Sequence, residues 1–173
     1  MPESYEVFLR MRPMIHADLE QVLAWRNHPN VRLYMFSQHE ITLAEHRLWF
    51  ERTMQNSKKH LLIFEANHQP QGVVSFSEVG DGGVADWGFY VAPDAPKGSG
   101  RQLGSSALSH AFTQFNFHKV CGQALEYNQR SIRFHQSLGF RLEGSLRDQH
   151  FDGERYHQVN CFGLLCNEWH CDN

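Results

Sequence analysis

Residues 87–112, WGFYVAPDAPKGSGRQLGSSALSHAF, constrain the fold more than any other stretch of the chain. An apolar, aromatic run ends in a turn bracketed by Pro93 and Pro96. A loop containing Gly98, Gly100 and Gly104 follows, and it leads into an alanine- and leucine-rich segment with helical spacing. A further β-rich run, HKVCGQALEY, comes after the helix. Strand, helix and strand in that order form a crossover unit, so the two strands run parallel in one sheet. Ligands of such sheets sit beyond the carboxyl ends of the strands, where this loop falls. Gly98, Ser99, Gly100 and Gly104 let the backbone turn its amides toward one point, and the start of the helix adds partial positive charge. Lys97 and Arg101 add full charges, so the loop suits a phosphate. It is neither a Walker loop nor a dinucleotide-binding Gly-x-Gly-x-x-Gly loop, because the spacing of both is missing.

The rest of the chain extends this unit on both sides. YEVFLRMRPM alternates and reads as a strand ended near Pro13. HADLEQVLAWRNHP puts Leu19, Val22, Leu23 and Trp25 on helical spacing, with Asp18 in the first turn and Pro29 as the stop. TLAEHRLWFERTMQN opens on a Thr42/Glu45 capping box and has one broad apolar face. HLLIFEA and QGVVSFSEV read as a hairpin around NHQPQ, and VADWGFYVA is the next strand. The helix after the glycine loop is predicted from about Gln102 to Phe115. NQRSIRFHQSLGF reads as a short helix with Gly139 just past its end, and RLEGSLRDQHF and ERYHQVNCFGLLC as a closing hairpin around Asp152 and Gly153. The order predicts one α/β domain over residues 1–173. Its sheet is mixed and largely antiparallel, with about seven strands, two central parallel strands and about four flanking helices.

Composition narrows the function classes. A net charge of −3 argues against a nucleic-acid footprint, which calls for a basic domain. No apolar run reaches the length of a membrane span, and the N-terminus lacks the apolar core of a signal peptide. The four cysteines fit reduced thiols in the cytoplasm. Cys161, Cys166 and Cys171 recur every five residues with His170 nearby, which is not the spacing of a zinc site, and no metal is expected.

Three segments together resemble the GNAT N-acetyltransferase family. Lys97-Gly98-Ser99-Gly100-Arg101-Gln102 is similar to its acetyl-CoA pyrophosphate loop, with lysine where arginine or glutamine is usual and Gln102 where a small residue is usual. EYNQRSIRFHQSLGF matches a second signature through Asn128, Ser131, Ile132, Phe134, Gly139 and Phe140. VLAWRNHPNVRLYMF and AEHRLWFE resemble the N-terminal halves of the family's ribosomal-protein and nucleotide-sugar branches. The combination looks most like the nucleotide-sugar branch. The resemblance implies transfer of acetyl from acetyl-CoA to the 4-amino group of UDP-4-amino-4,6-dideoxy-N-acetyl-β-L-altrosamine, within pseudaminic acid biosynthesis. Acetylation of a protein N-terminus stays open as a second reading, and a non-catalytic acyl-CoA-binding module as a third. A homodimer is compatible with the sequence, which carries no interface signal.

The resemblance also assigns residues. Backbone groups of Phe89, Tyr90 and Val91 would bond the pantetheine arm and the acetyl oxygen. The loop and helix start, Lys97 to Gly104 including Leu103, would hold the pyrophosphate, with Asn128, Ser131 and Phe134 beside it. The family often places a proton-donating tyrosine on the last helix, and here that position is His135, which becomes a candidate general acid. Glu78 and His46 are the candidate bases. Arg26, Asn27, Met35, Phe36, His46, Trp49 and Tyr90 form the expected acceptor pocket, with arginine suited to a diphosphate and the aromatic and Met side chains to uracil.

Overall fold

The computed structural model describes residues 7–170. The start of the first predicted strand (Tyr5, Glu6) and Cys171 lie outside them. Seven strands form one sheet in the order β1-β2-β3-β4-β5-β7-β6. They are β1 (Leu9–Pro13), β2 (Lys59–Ala66), β3 (Gln69–Val79), β4 (Val84–Val91), β5 (Lys119–Leu125), β6 (Arg141–Phe151) and β7 (Tyr156–Leu165). Every neighbouring pair is antiparallel except β4 and β5. The helices are α1 (Leu19–Asn27), α2 (Pro29–Arg32), α3 (Leu43–Met54), α4 (Ser99–Thr113) and α5 (Gln129–Ser137).

The fold is as the sequence predicts, with local differences. Pro29 does not merely end the first helix. It stands at the first position of the extra short helix α2, where its missing N–H costs nothing. Helix α4 begins at Ser99 rather than near Gln102, so half of the glycine loop is the first helical turn. The Thr42/Glu45 capping box is present, with Thr42 Oγ1 accepting from the Glu45 N–H at 3.2 Å and Glu45 Oε2 accepting from the Thr42 N–H at 2.7 Å. Asn67 and His68, both with positive φ, make the β2–β3 turn.

Strand alternation divides the core in two. Leu62, Phe64, Val74, Phe76, Ala85, Trp87, Val120 and Phe162 pack with Leu103, Ala107, Leu108 and Ala111 of α4 on one face. Leu61, Ile63 and Val73 pack with Val22 and Trp25 of α1 and Phe50 of α3 on the other. Arg12 ties the second layer to the edge of the sheet. It bonds both carboxylate oxygens of Asp18 at 2.8 Å and reaches Glu65 at 2.6 Å.

Candidate active site

The parallel pairing of β4 and β5 runs for only three residue pairs, Val84–Asp86 against Lys119–Cys121. Beyond Trp87, β4 pairs only with β3, and beyond Cys121, β5 pairs only with β7. The two strands therefore splay, and from Trp87 to Val91 the edge of β4 toward β5 is open. An unpaired backbone edge inside a protein needs a partner, and an extended amide-bearing chain can supply one. Phe89, Tyr90 and Val91 line this edge.

At the wide end of the splay, α4 begins. Its N-cap Gly98 has φ +97°, a left-handed conformation that glycine adopts without strain, and no side chain caps the helix. The turn leaves the helix N-terminus open to an anion beside the exposed Lys97 and Arg101, with Gly100 and Gln102 half-buried behind them. Other members of the stretch work within the core. Ser99 is buried and donates to Gln71 Oε1 at 2.8 Å. Leu103 is fully buried under the sheet. Gly104 is where α5 crosses: a Cβ there would lie 2.7 Å from Phe134 and 2.8 Å from Leu138. Asn128 caps α5 by accepting from the Ser131 N–H at 3.1 Å. Phe134 packs on Phe89 with ring centroids 4.9 Å apart.

His135 stands at the closed end of the splay, but both its ring nitrogens are occupied. Trp87 Nε1–H donates to its Nε2 at 3.1 Å, and its Nδ1–H donates to the Ser131 carbonyl at 2.8 Å. The imidazole is 1% exposed and stacks on Phe162. Burial pushes its pKa down, with only partial relief from the Ser131 carbonyl. A Cβ on Gly122 would lie 2.4 Å from Nε2, so only glycine there lets the ring sit this close to β5. Both ring nitrogens are taken up inside the core, so no N–H of His135 is aimed at the cleft.

Glu78 does not join the site either. Alternation along β3 puts it on the α4 face with Val74 and Phe76, opposite Ala85. Its carboxylate pairs with His60 at 2.8 Å, and His60 stacks on Phe115. The residue beside it, Ser77, faces the other layer and lies opposite Asp86. The sequence reading does not name Asp86. It is the last β4 residue before the splay, on the face of Tyr90, exposed, and its carboxylate has no hydrogen-bond or ion-pair partner among the described residues. Partial burial raises its pKa. Counting alternation back from Tyr90 would have found it.

On the Tyr90 face, α1 and α3 bring polar groups together. Arg26 Nη2 donates to the Ser37 carbonyl at 2.6 Å, while Nη1 is buried without a partner. His46 is 3% exposed, and its Nε2 is also buried without a partner. Burial lowers the pKa of both, and each feels the other's charge or that of Tyr90. Burial likewise raises the pKa of the Tyr90 hydroxyl against the pull of Arg26. Trp49 stacks on His46 at 5.1 Å. Asn27 spends its amide on the loop, donating to the Ile41 carbonyl and accepting from the Ile41 N–H, each at 2.8 Å. Met35 is half-buried, and Phe36 meets His150 of β6 edge-on at 5.4 Å. Gln38 donates to the Tyr127 hydroxyl at 3.2 Å, so the loop after α2 is joined to the far side of the splay. No group of three or more His, Cys, Asp or Glu that could hold a metal occurs among the described residues.

Residues 9–141 match the family described as Acetyltransferase (GNAT) domain. A spermidine N(1)-acetyltransferase of Vibrio cholerae serotype O1 is 24% identical over 164 residues, covering 93% of this chain and 95% of that protein. The acetyltransferase PseH of Campylobacter jejuni (strain 81-176) is 25% identical over 132 residues, covering 76% and 82%. The crystal structure of the Vibrio cholerae spermidine N-acetyltransferase in complex with CoA and spermine superposes with a TM-score of 0.85 at 23% identity, covering 92% of this chain and 96% of that one.

Proposed function

The chain belongs to the GNAT acetyltransferase family, and from that premise we propose that it carries acetyl from acetyl-CoA to the 4-amino group of a UDP-linked amino-deoxy sugar. The family's acetyl-CoA fits the chain's own features: an uncapped helix N-terminus for the pyrophosphate and an open β4 edge for the pantetheine amides. Acetyl-CoA supplies the acetyl group, and its C–S bond breaks as the C–N bond forms.

One observation carries the choice of acceptor. Arg26 Nη1 and His46 Nε2 are buried polar atoms without partners, close to one another on the acceptor face. Buried polar groups are nearly always satisfied, and an anion satisfies this pair, since a diphosphate accepts from the guanidinium and from an imidazole N–H. A polyamine brings only further positive charge. The PseH relatives support the same reading, and the sugar named by the resemblance is UDP-4-amino-4,6-dideoxy-N-acetyl-β-L-altrosamine, a precursor of pseudaminic acid for flagellin.

Within this reading Asp86 accepts the proton that the nitrogen sheds during attack. A carboxylate whose pKa is raised by burial is a stronger base than an ordinary one. Backbone N–H groups on the β4 edge hold the acetyl oxygen as it gains charge. His135, Trp87 and Phe134 close the end of the splay and exclude water. The anion site is tested with Arg26→Ala. The KM for the UDP-linked amine rises at least tenfold while the KM for acetyl-CoA is unchanged. Equal effects on both, or on neither, contradict the assignment.

A further inference from the structure

A groove runs along one flank of α3, lined by Glu45, Leu48, Trp49, Arg52, Asn56 and Lys59, with a volume of about 480 Å³. Its composition is unusual for a helix flank. The Trp49 side chain is 40% exposed and Leu48 is 47% exposed, although both are apolar. One face of the Trp49 indole is covered by His46, in a near-parallel stack with an interplanar angle of 20°. The Arg52 and Lys59 side chains have no ion pair or hydrogen bond among the described residues. Asn56 gives its Oδ1 to the Lys58 N–H at 3.0 Å and keeps its amide donors.

The groove is joined to the acceptor site in two ways. Through Trp49 it touches His46, whose unpartnered Nε2 belongs to the anion site. Through the sheet, Lys59 lies opposite Ser77, and Ser77 opposite Asp86, all three on one face. That row spans two strand spacings, about 10 Å. The groove therefore lies beside the His46 end of the anion site and on the same face of the sheet as Asp86.

We propose that this groove binds the nucleobase and ribose of the acceptor, with the base stacked on Trp49 and with Arg52 and Lys59 flanking the nucleoside side of the diphosphate held at Arg26 and His46. The inference rests on the nucleotide-sugar reading and extends it from the diphosphate to the nucleoside. An aromatic ring with one face taken and one exposed is a stacking platform for any flat base. Flanking cations without partners suit a ligand that carries negative charge. The lining is a small set of polar groups around an apolar surface, at a volume usual for a small-molecule site.

The test measures inhibition by UDP and by inorganic pyrophosphate, each against the UDP-linked amine, in wild type, Trp49→Leu and Arg52→Ala. Trp49 is at the surface, so its replacement leaves the core intact. The expected result is competitive inhibition by UDP that weakens at least tenfold in Trp49→Leu. Inhibition by pyrophosphate and the KM for acetyl-CoA do not change in that variant, and quenching of wild-type tryptophan fluorescence by UDP shrinks with it. If the UDP-linked amine is acetylated but Trp49→Leu leaves UDP inhibition unchanged, the groove assignment is overturned and the acceptor reading stands. If UDP neither inhibits nor quenches and the UDP-linked amine is not acetylated, both fall.

Discussion

In the proposed function, proton transfer rests on Asp86, while His135 is held in the core. Asp86 stands alone at the closed end of the splay, and its pKa is raised by burial. Asp86→Asn keeps the shape and removes the base, so kcat falls by about 100-fold or more with the KM for acetyl-CoA little changed. Steady-state kinetics from pH 6 to 9 check this, and a variant within threefold of wild type contradicts it. His135 is predicted to act on stability instead. Its pKa is depressed in the folded state, whereas an unfolded histidine titrates near about 6.5. Above that pH the neutral ring contributes fully. As pH falls below it, the unfolded chain takes up a proton that the folded chain refuses, and stability is lost. His135→Phe therefore flattens the fall in Tm between pH 7 and 5.5. It also leaves Trp87 Nε1 without an acceptor, which costs about 1–3 kcal/mol. A pH–rate profile that loses a limb near neutrality in this variant, with unchanged stability, would restore the proton-donor role. Sequence alone could not separate these outcomes, because a position in a signature does not reveal whether both ring nitrogens are already bonded.

The elements show why some assignments were legible and others were not. Helix α3 announced itself by its capping box and periodic apolar residues, and α4 by the glycine loop, because local chemistry fixes both. Glu78 was misplaced because a strand presents alternate residues to opposite faces. A shift of one residue separates the His60 side from the acceptor side. Asn27 was read as a substrate contact and is a clamp on the loop that ends at α3, a bond between residues 14 apart that spacing does not show. The same holds for Arg12, which joins β1 to Asp18 before α1 and to Glu65 on β2. Burial alone would raise the Asp18 pKa, yet the bonds from Arg12 and the Ile15 N–H lower it. Arg12→Ala leaves two largely buried carboxylates uncompensated and destabilises the fold by about 3 kcal/mol or more. Urea denaturation at pH 7 measures this, and a loss under 1 kcal/mol contradicts it.

At the scale of the molecule, the mixed sheet and its one parallel pair follow from the order of elements around residues 87–112. The face around Tyr90 was legible as a set of residues through the family resemblance but not as an arrangement, because it is assembled from α1, α3, the loop after α2 and the β6–β7 hairpin, which meet only in the fold. That face holds cationic and hydrogen-bonding groups without partners, and the account of the protein turns on what they receive. No helix among the described residues is long and apolar enough to cross a membrane. The most direct measurement is free-thiol release from acetyl-CoA with three acceptors side by side: the UDP-linked 4-amino sugar, spermidine, and a ribosomal-protein N-terminal peptide. The account predicts a kcat/KM for the UDP-linked sugar at least 100-fold above the other two. Turnover of spermidine or of the peptide at a rate equal to or above that of the sugar would contradict it.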